Sequence, residues 1–178
     1  GWDSMAPLDQ PRLNKEGPAA VDINSSTYIE SDSTEDIDAM LLKALSAHNR
    51  QELGKALELY TQILAHDLAP TARTIVLLHR GVAFFLRGDI EKAYSDFTEA
   101  LRLGERRERA YYFRAIAGWA LGQHDEALKD LSESLKIDPL QTEVLFCRAL
   151  LRSQRGDLAG ALADTEQVLS IEPDSSEA

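Results

Sequence analysis

The sequence holds one cysteine, Cys147, in 178 residues. A disulfide framework needs at least two, and a thiolate zinc site needs ligands this chain does not have. No apolar run approaches the roughly 20 residues that a membrane-spanning helix requires. The start, Gly1-Trp2-Asp3-Ser4, has neither the basic region nor the apolar core of a secretory signal. Met5 reads as a native start behind four appended residues. These absences fit a cytoplasmic protein with no membrane insertion. Cations are also scarce: 19 Lys and Arg stand against 30 Asp and Glu, a formal net charge of −11. Such a chain lacks the basic footprint that supplies most nucleic-acid affinity, and an anionic membrane surface repels it.

Catalytic constellations are missing too. No Ser-based nucleophile elbow and no phosphate-cradling glycine loop occurs. The four histidines, His48, His66, His79 and His124, form no helical His pair of the metalloprotease kind, and no carboxylate completes a metal site. His48 and His79 read as polar rim. Cys147, between Phe146 and Arg148, reads as an inert buried thiol, because a reactive one needs an exposed electropositive setting. The expectation is a protein without catalytic residues, metal or cofactor.

What is present is order along the chain. Residues 1–32 read as a flexible leader broken by Pro7, Pro11, Gly17 and Pro18, with one apolar cluster at Val21, Ile23, Tyr28 and Ile29. Ser33-Thr34-Glu35-Asp36 is suited to cap a helix start. From there the chain reads helix, turn, helix. Gly88-Asp89-Ile90-Glu91-Lys92-Ala93 recurs as Gly122-Gln123-His124-Asp125-Glu126-Ala127 and as Gly156-Asp157-Leu158-Ala159-Gly160-Ala161, each step 34 residues. Phe97, Leu131 and Thr165 follow four residues after each alanine. Asp138-Pro139 and Glu172-Pro173 close two units. Lys55-Ala56-Leu57 opens an earlier copy whose alanine lies 37 residues before Ala93, so three extra residues fall near Pro70 to Arg73. Four units result: 37–70, 74–107, 108–141 and 142–175, within a repeat domain spanning 33–175.

This pattern resembles the tetratricopeptide repeat family, whose period is 34 residues. The resemblance is strongest in the second helix of units one to three and departs in unit four at Thr165 and Val168. It implies an all-α fold: a right-handed superhelix of four helix-turn-helix repeats. Each unit alone leaves an apolar face uncovered, and stacking buries it.

The resemblance also implies a binding face. In this family the first helix of each unit lines the concave surface. Positions 2, 5, 6, 9, 12 and 13 of the units then supply a set rich in apolar residues. Leu78, Val82, Phe85, Arg109, Tyr112, Phe113, Ile116, Trp119 and Phe146 are its candidate partner-contacting residues. Three accounts of the set stand open. It takes a peptide or amphipathic helix of another protein; it is filled by the leader or a second copy; or part of it is ordinary core between helices. The basic belt at 73–114, with nine cations against six acids, suggests Arg109 as the group that orients an acidic partner. The family's chaperone-tail clamp fails here: Leu41, Leu45, His79 and Phe113 stand at four of its five positions, and Arg109 alone fits. The expected function is a protein-binding scaffold or adaptor. The alternatives are an interaction module of a larger protein, or self-association through unit four (Leu162, Val168, Leu169 and Ile171) or the leader.

Overall fold

The computed structural model describes residues 28–172, with side chains from Asp36 onward. Its described residues form eight helices and no strand: α1 Tyr28–Asn49, α2 Leu53–Leu64, α3 Pro70–Arg87, α4 Ile90–Leu103, α5 Arg107–Ala120, α6 His124–Ile137, α7 Thr142–Gln154 and α8 Leu158–Ile171. Each helix packs on the next, and α3 also touches α5. The result is a helical solenoid of four antiparallel pairs, as the repeat spacing implied.

Helix ends follow from backbone chemistry. Gly88, Gly122 and Gly156 all take positive φ, 94°, 81° and 86°, where a side chain is disfavoured. The Gly88 N–H donates to Phe85 O at 3.0 Å and the Asp89 N–H to Phe84 O at 2.9 Å, closing α3. Unit one makes the same turn with a non-glycine residue. Gln51, 37 residues before Gly88, has φ 63°, and the Glu52 N–H reaches Ala47 O at 2.9 Å.

Two boundaries differ from the sequence reading. Helix α1 starts at Tyr28, so Ser33 to Asp36 lie inside it and do not cap it. Nothing between 28 and 33 breaks a helix, and Glu30 and Asp32 suit the positive end of the dipole. The proposed leader lies outside the described residues up to residue 27. The three extra residues at Pro70 to Arg73 form no loop. Pro70 is the first residue of α3, so they become an added first turn in a helix of 18 residues, against 14 in α5 and 13 in α7.

The core is a row of three clusters, each shared by successive units. Small residues set the spacing inside each pair. Ala44, Gly81, Ala115 and Ala149 occupy one register position and Tyr60, Phe97, Leu131 and Thr165 another, and in unit two these positions face each other. Gly81 meets the largest demand: a Cβ there would lie 2.4 Å from the Phe97 ring. Repeated ion pairs lock the same helices. Arg80, Arg114 and Arg148 each grip an aspartate 16 residues on, Asp96, Asp130 and Asp164, with two parallel bonds of 2.7–2.9 Å. Unit one lacks the pair, having Lys43 and Leu59 there.

Candidate partner-binding face

The first helix of each unit carries the predicted contact residues, and their burial sorts them. Leu78 and Phe113 are core. Leu78 has no exposed surface, and Phe113 stacks on Phe97 with ring centroids 5.5 Å apart. Their place in the candidate set therefore does not hold as surface. The reason is stacking: α5 covers position 5 of α3, so a residue that would line a groove in an isolated unit becomes junction core. Val82, Phe85 and Tyr112 pack at the edge of the same cluster and stay partly exposed. Ile116 is half-buried, and Trp119 lies against the His124 ring at 4.2 Å while keeping part of its surface open. Phe146 is largely exposed. Five of the nine thus remain together on α3 and α5 as a half-exposed apolar strip: Val82, Phe85, Tyr112, Ile116 and Trp119.

Arg109 does not stand free to receive an acidic partner. Its guanidinium pairs with Glu143, its homologue one unit on, and lies over the Tyr112 and Phe113 rings at 5.2 Å each. The pair joins unit three to unit four, from α5 to α7. Both residues occupy position 2 of their units, so their separation of 34 was a readable signal for adjacency.

The histidines also differ from expectation. His48 Nδ1 lies 3.0 Å from the Tyr60 hydroxyl, and the His79 ring stacks on Tyr60 at 6.2 Å. The two imidazoles are 6.3 Å apart. Burial pushes His79 down to about 4, helped by the nearby His48, and lowers His48 as well. This is a polar cluster at the junction of units one and two, where a rim was expected. Unit one places His48 at position 12 and unit two His79 at position 6, a juxtaposition invisible without the stacking geometry. Burial pushes the Cys147 thiol up to about 11, which keeps it protonated and unreactive at neutral pH.

Among the described residues, no three His, Cys, Asp or Glu side chains gather as metal ligands, and no helix is long and apolar enough to cross a membrane. The face can offer aromatic and aliphatic contact, and its one arginine is already satisfied. The sequence reading missed the Arg–Asp pairs, although Arg80, Arg114 and Arg148 recur at the same 34-residue period as the glycines.

Known proteins show the same architecture. Residues 108–139, most of unit three, match the model of the tetratricopeptide repeat. No curated protein sequence matches the chain. Among solved structures, MamA is 17% identical with a TM-score of 0.69, over 81% of this chain and 82% of that one. YrrB, a tetratricopeptide protein with an unusual peptide-binding site, is 21% identical with a TM-score of 0.64, over 83% and 76%. The second tetratricopeptide domain of Spaghetti (RPAP3), bound to the HSP90 peptide SRMEEVD, is 27% identical with a TM-score of 0.54, over 58% and 90%. Residues 108–139 thus carry a tetratricopeptide repeat, and the solenoid around them has the fold of known tetratricopeptide proteins.

Proposed function

We propose that the protein is an interaction scaffold or adaptor, not an enzyme, and that the strip on α3 and α5 takes an apolar helix or extended peptide of another protein. The observation that carries this reading is the half-exposed run Val82, Phe85, Tyr112, Ile116 and Trp119 on two adjacent first helices. Aromatic side chains that are anchored at one edge and open at the other supply contact area at small entropic cost. Peptide binding by YrrB and by the RPAP3 domain supports the general mode. The chaperone-tail mode gains nothing here. Leu41 and Phe113, at two clamp positions, are buried, and Arg109 is held by Glu143.

The ligand this face favours is apolar and nearly uncharged along its contact side, with apolar residues at helical i, i+3/i+4 and i+7 spacing. The test uses a displayed library of random peptides selected on the whole chain. Selected peptides should be rich in Leu, Phe and Trp at that spacing. Phe85→Ala combined with Trp119→Glu should weaken them about 100-fold or more while helicity persists. Equal affinity for the double variant and the parent removes this reading.

A further inference from the structure

At one junction of the solenoid two imidazoles stand where the others have rings of carbon or a thiol. Between units one and two, position 12 of the first unit, His48, lies against position 6 of the second, His79. Their ring centroids are 6.3 Å apart and the rings meet edge to face at 84°. The same two positions hold Phe85 and Phe113 at the next junction and Trp119 and Cys147 at the last. Phe85 and Phe113 belong to one core cluster, and Trp119 and Cys147 pack on another. With the Cys147 thiol pushed up to about 11, neither later pair charges in weak acid.

The histidine pair is buried without a counter-charge. Facing it from α2 is Tyr60, whose hydroxyl lies 3.0 Å from His48 Nδ1 and whose ring lies 6.1 Å from His48 and 6.2 Å from His79. Burial pushes the Tyr60 hydroxyl up, so it stays neutral. Among the described residues no carboxylate pairs with either imidazole, and the charge that acts on His79 is that of His48. The cations nearest in sequence on α3 are engaged elsewhere: Arg80 on Asp96 and Thr61, Arg73 on the Leu64 carbonyl. Two imidazolium ions in this setting lose their water and repel each other.

Relief of that cost is local. Among the described residues unit one packs on the rest through α3, where it covers Val76 and Ala83. Its polar ties there are the 3.2 Å bond from Arg73 to Leu64 O and the 3.3 Å bond from Arg80 to the Thr61 hydroxyl. Units two to four each hold their own two helices with an arginine–aspartate lock, and unit one has none, with Lys43 and Leu59 at those positions. A repeat array opens unit by unit when one interface weakens.

We propose that the junction of units one and two is an acid-released hinge: weak acid charges His48 and His79, and α1 and α2 leave α3 while units two to four stay stacked. Open, His79 takes up protons near its ordinary 6.5; closed, it does so only near 4. The hold on unit one is therefore full above pH 6.5 and is lost as pH falls toward 4, with His48 acting in the same direction. The carboxylate locks answer to a different event. Burial raises Asp96 against the pull of Arg80, and its protonation loosens α3 from α4, not unit one from α3. The inference stands whether or not the α3–α5 strip receives a partner.

Hydrogen exchange of the whole chain, read by mass spectrometry at pH 7 and pH 5 and corrected for the intrinsic rate at each pH, tests it. The opening constant of α1 and α2 should rise about 20-fold between those pH values from His79 alone, while that of α5 to α8 changes less than about 3-fold. His48→Gln with His79→Gln should remove the rise. Where the glutamines weaken unit one at neutral pH, His48→Phe with His79→Phe, which copies the next junction, reads the same loss of pH dependence. Helices α1 and α2 already unprotected at pH 7, equal changes along all the helices, or a rise that persists in the variants overturns the proposal.

Discussion

At the first unit, the positions homologous to Val76 and Ala83 are Ala39 and Ser46; at the last unit, those homologous to Leu78 and Tyr94 are Phe146 and Leu162. Val76 and Ala83 are buried against unit one, and Leu78 is buried under unit three. Among the described residues the terminal copies have no such neighbour, and they answer differently. Ala39 and Ser46 are small or polar and sit among charges, although Leu42 on the same helix is also exposed. Phe146 and Leu162 keep interior chemistry in an exterior place. The repeat register thus fixes where a face lies, while the side chains decide whether it is a cap or a contact. A capped solenoid end is polar; the described front face comes nearer to that standard than unit four does, apart from exposed Leu42.

The sharpest way to break the comparison is to remove a lock from the middle of the row. Arg114→Ala leaves Asp130 largely buried without its two bonds, and chemical denaturation should show a loss of about 3 kcal/mol. Arg148→Ala in unit four should cost visibly less, because Arg152 also reaches Asp164 at 2.9 Å. Equal losses would show that the second arginine does not share the carboxylate.

The junction of units one and two should be sensitive to acid in a way the last junction is not. His79 is pushed down to about 4 and His48 is lowered too, so the unfolded chain binds protons that the folded chain refuses. The His79 contribution is fully present above pH 6.5 and falls as pH drops toward 4, by up to about 1.4 kcal/mol per pH unit, and His48 acts in the same direction. His79→Gln should flatten this part of a pH–stability curve measured by urea unfolding. A slope unchanged by that substitution would assign the acid loss elsewhere.

Gly81→Ala probes the tightest small-to-large match, against Phe97. A loss of about 1–2 kcal/mol in thermal or denaturant unfolding is expected. Alanine already occupies this position in units one, three and four, and in units three and four the residue in register with Phe97 is the smaller Leu131 or Thr165. Phe97→Leu should therefore rescue much of the Gly81→Ala loss. The smallest effect is a gain: Gln51→Gly relieves a left-handed side chain at the turn where the other units have glycine, and should add about 0.5–1 kcal/mol.

Much of this architecture was legible because it depends on period. Ala93, Ala127 and Ala161 mark close helix approach, and Gly88, Gly122 and Gly156 mark left-handed turns; both recur without reference to distant contacts. Residue roles at unit junctions were harder to read. Leu78 and Phe146 occupy the same position, yet one is buried and one exposed, because among the described residues only one has a following unit. Arg109 looked available, and its pairing with Glu143 requires two units in register. His48 and His79 sit at different positions of their units and meet only through Tyr60. Helix α1 begins earlier than its apparent cap because a capping motif does not stop a helix whose preceding residues also favour one.

The claim that matters most is that the α3–α5 strip receives a partner. Trp2 and Trp119 are the two tryptophans of the chain, so Trp2→Phe leaves Trp119 as its single indole reporter. Titration of that protein with a library-selected peptide should move the Trp119 emission to shorter wavelength and shield it from iodide quenching. Saturable binding with unchanged emission and unchanged quenching would place the partner elsewhere and contradict the account.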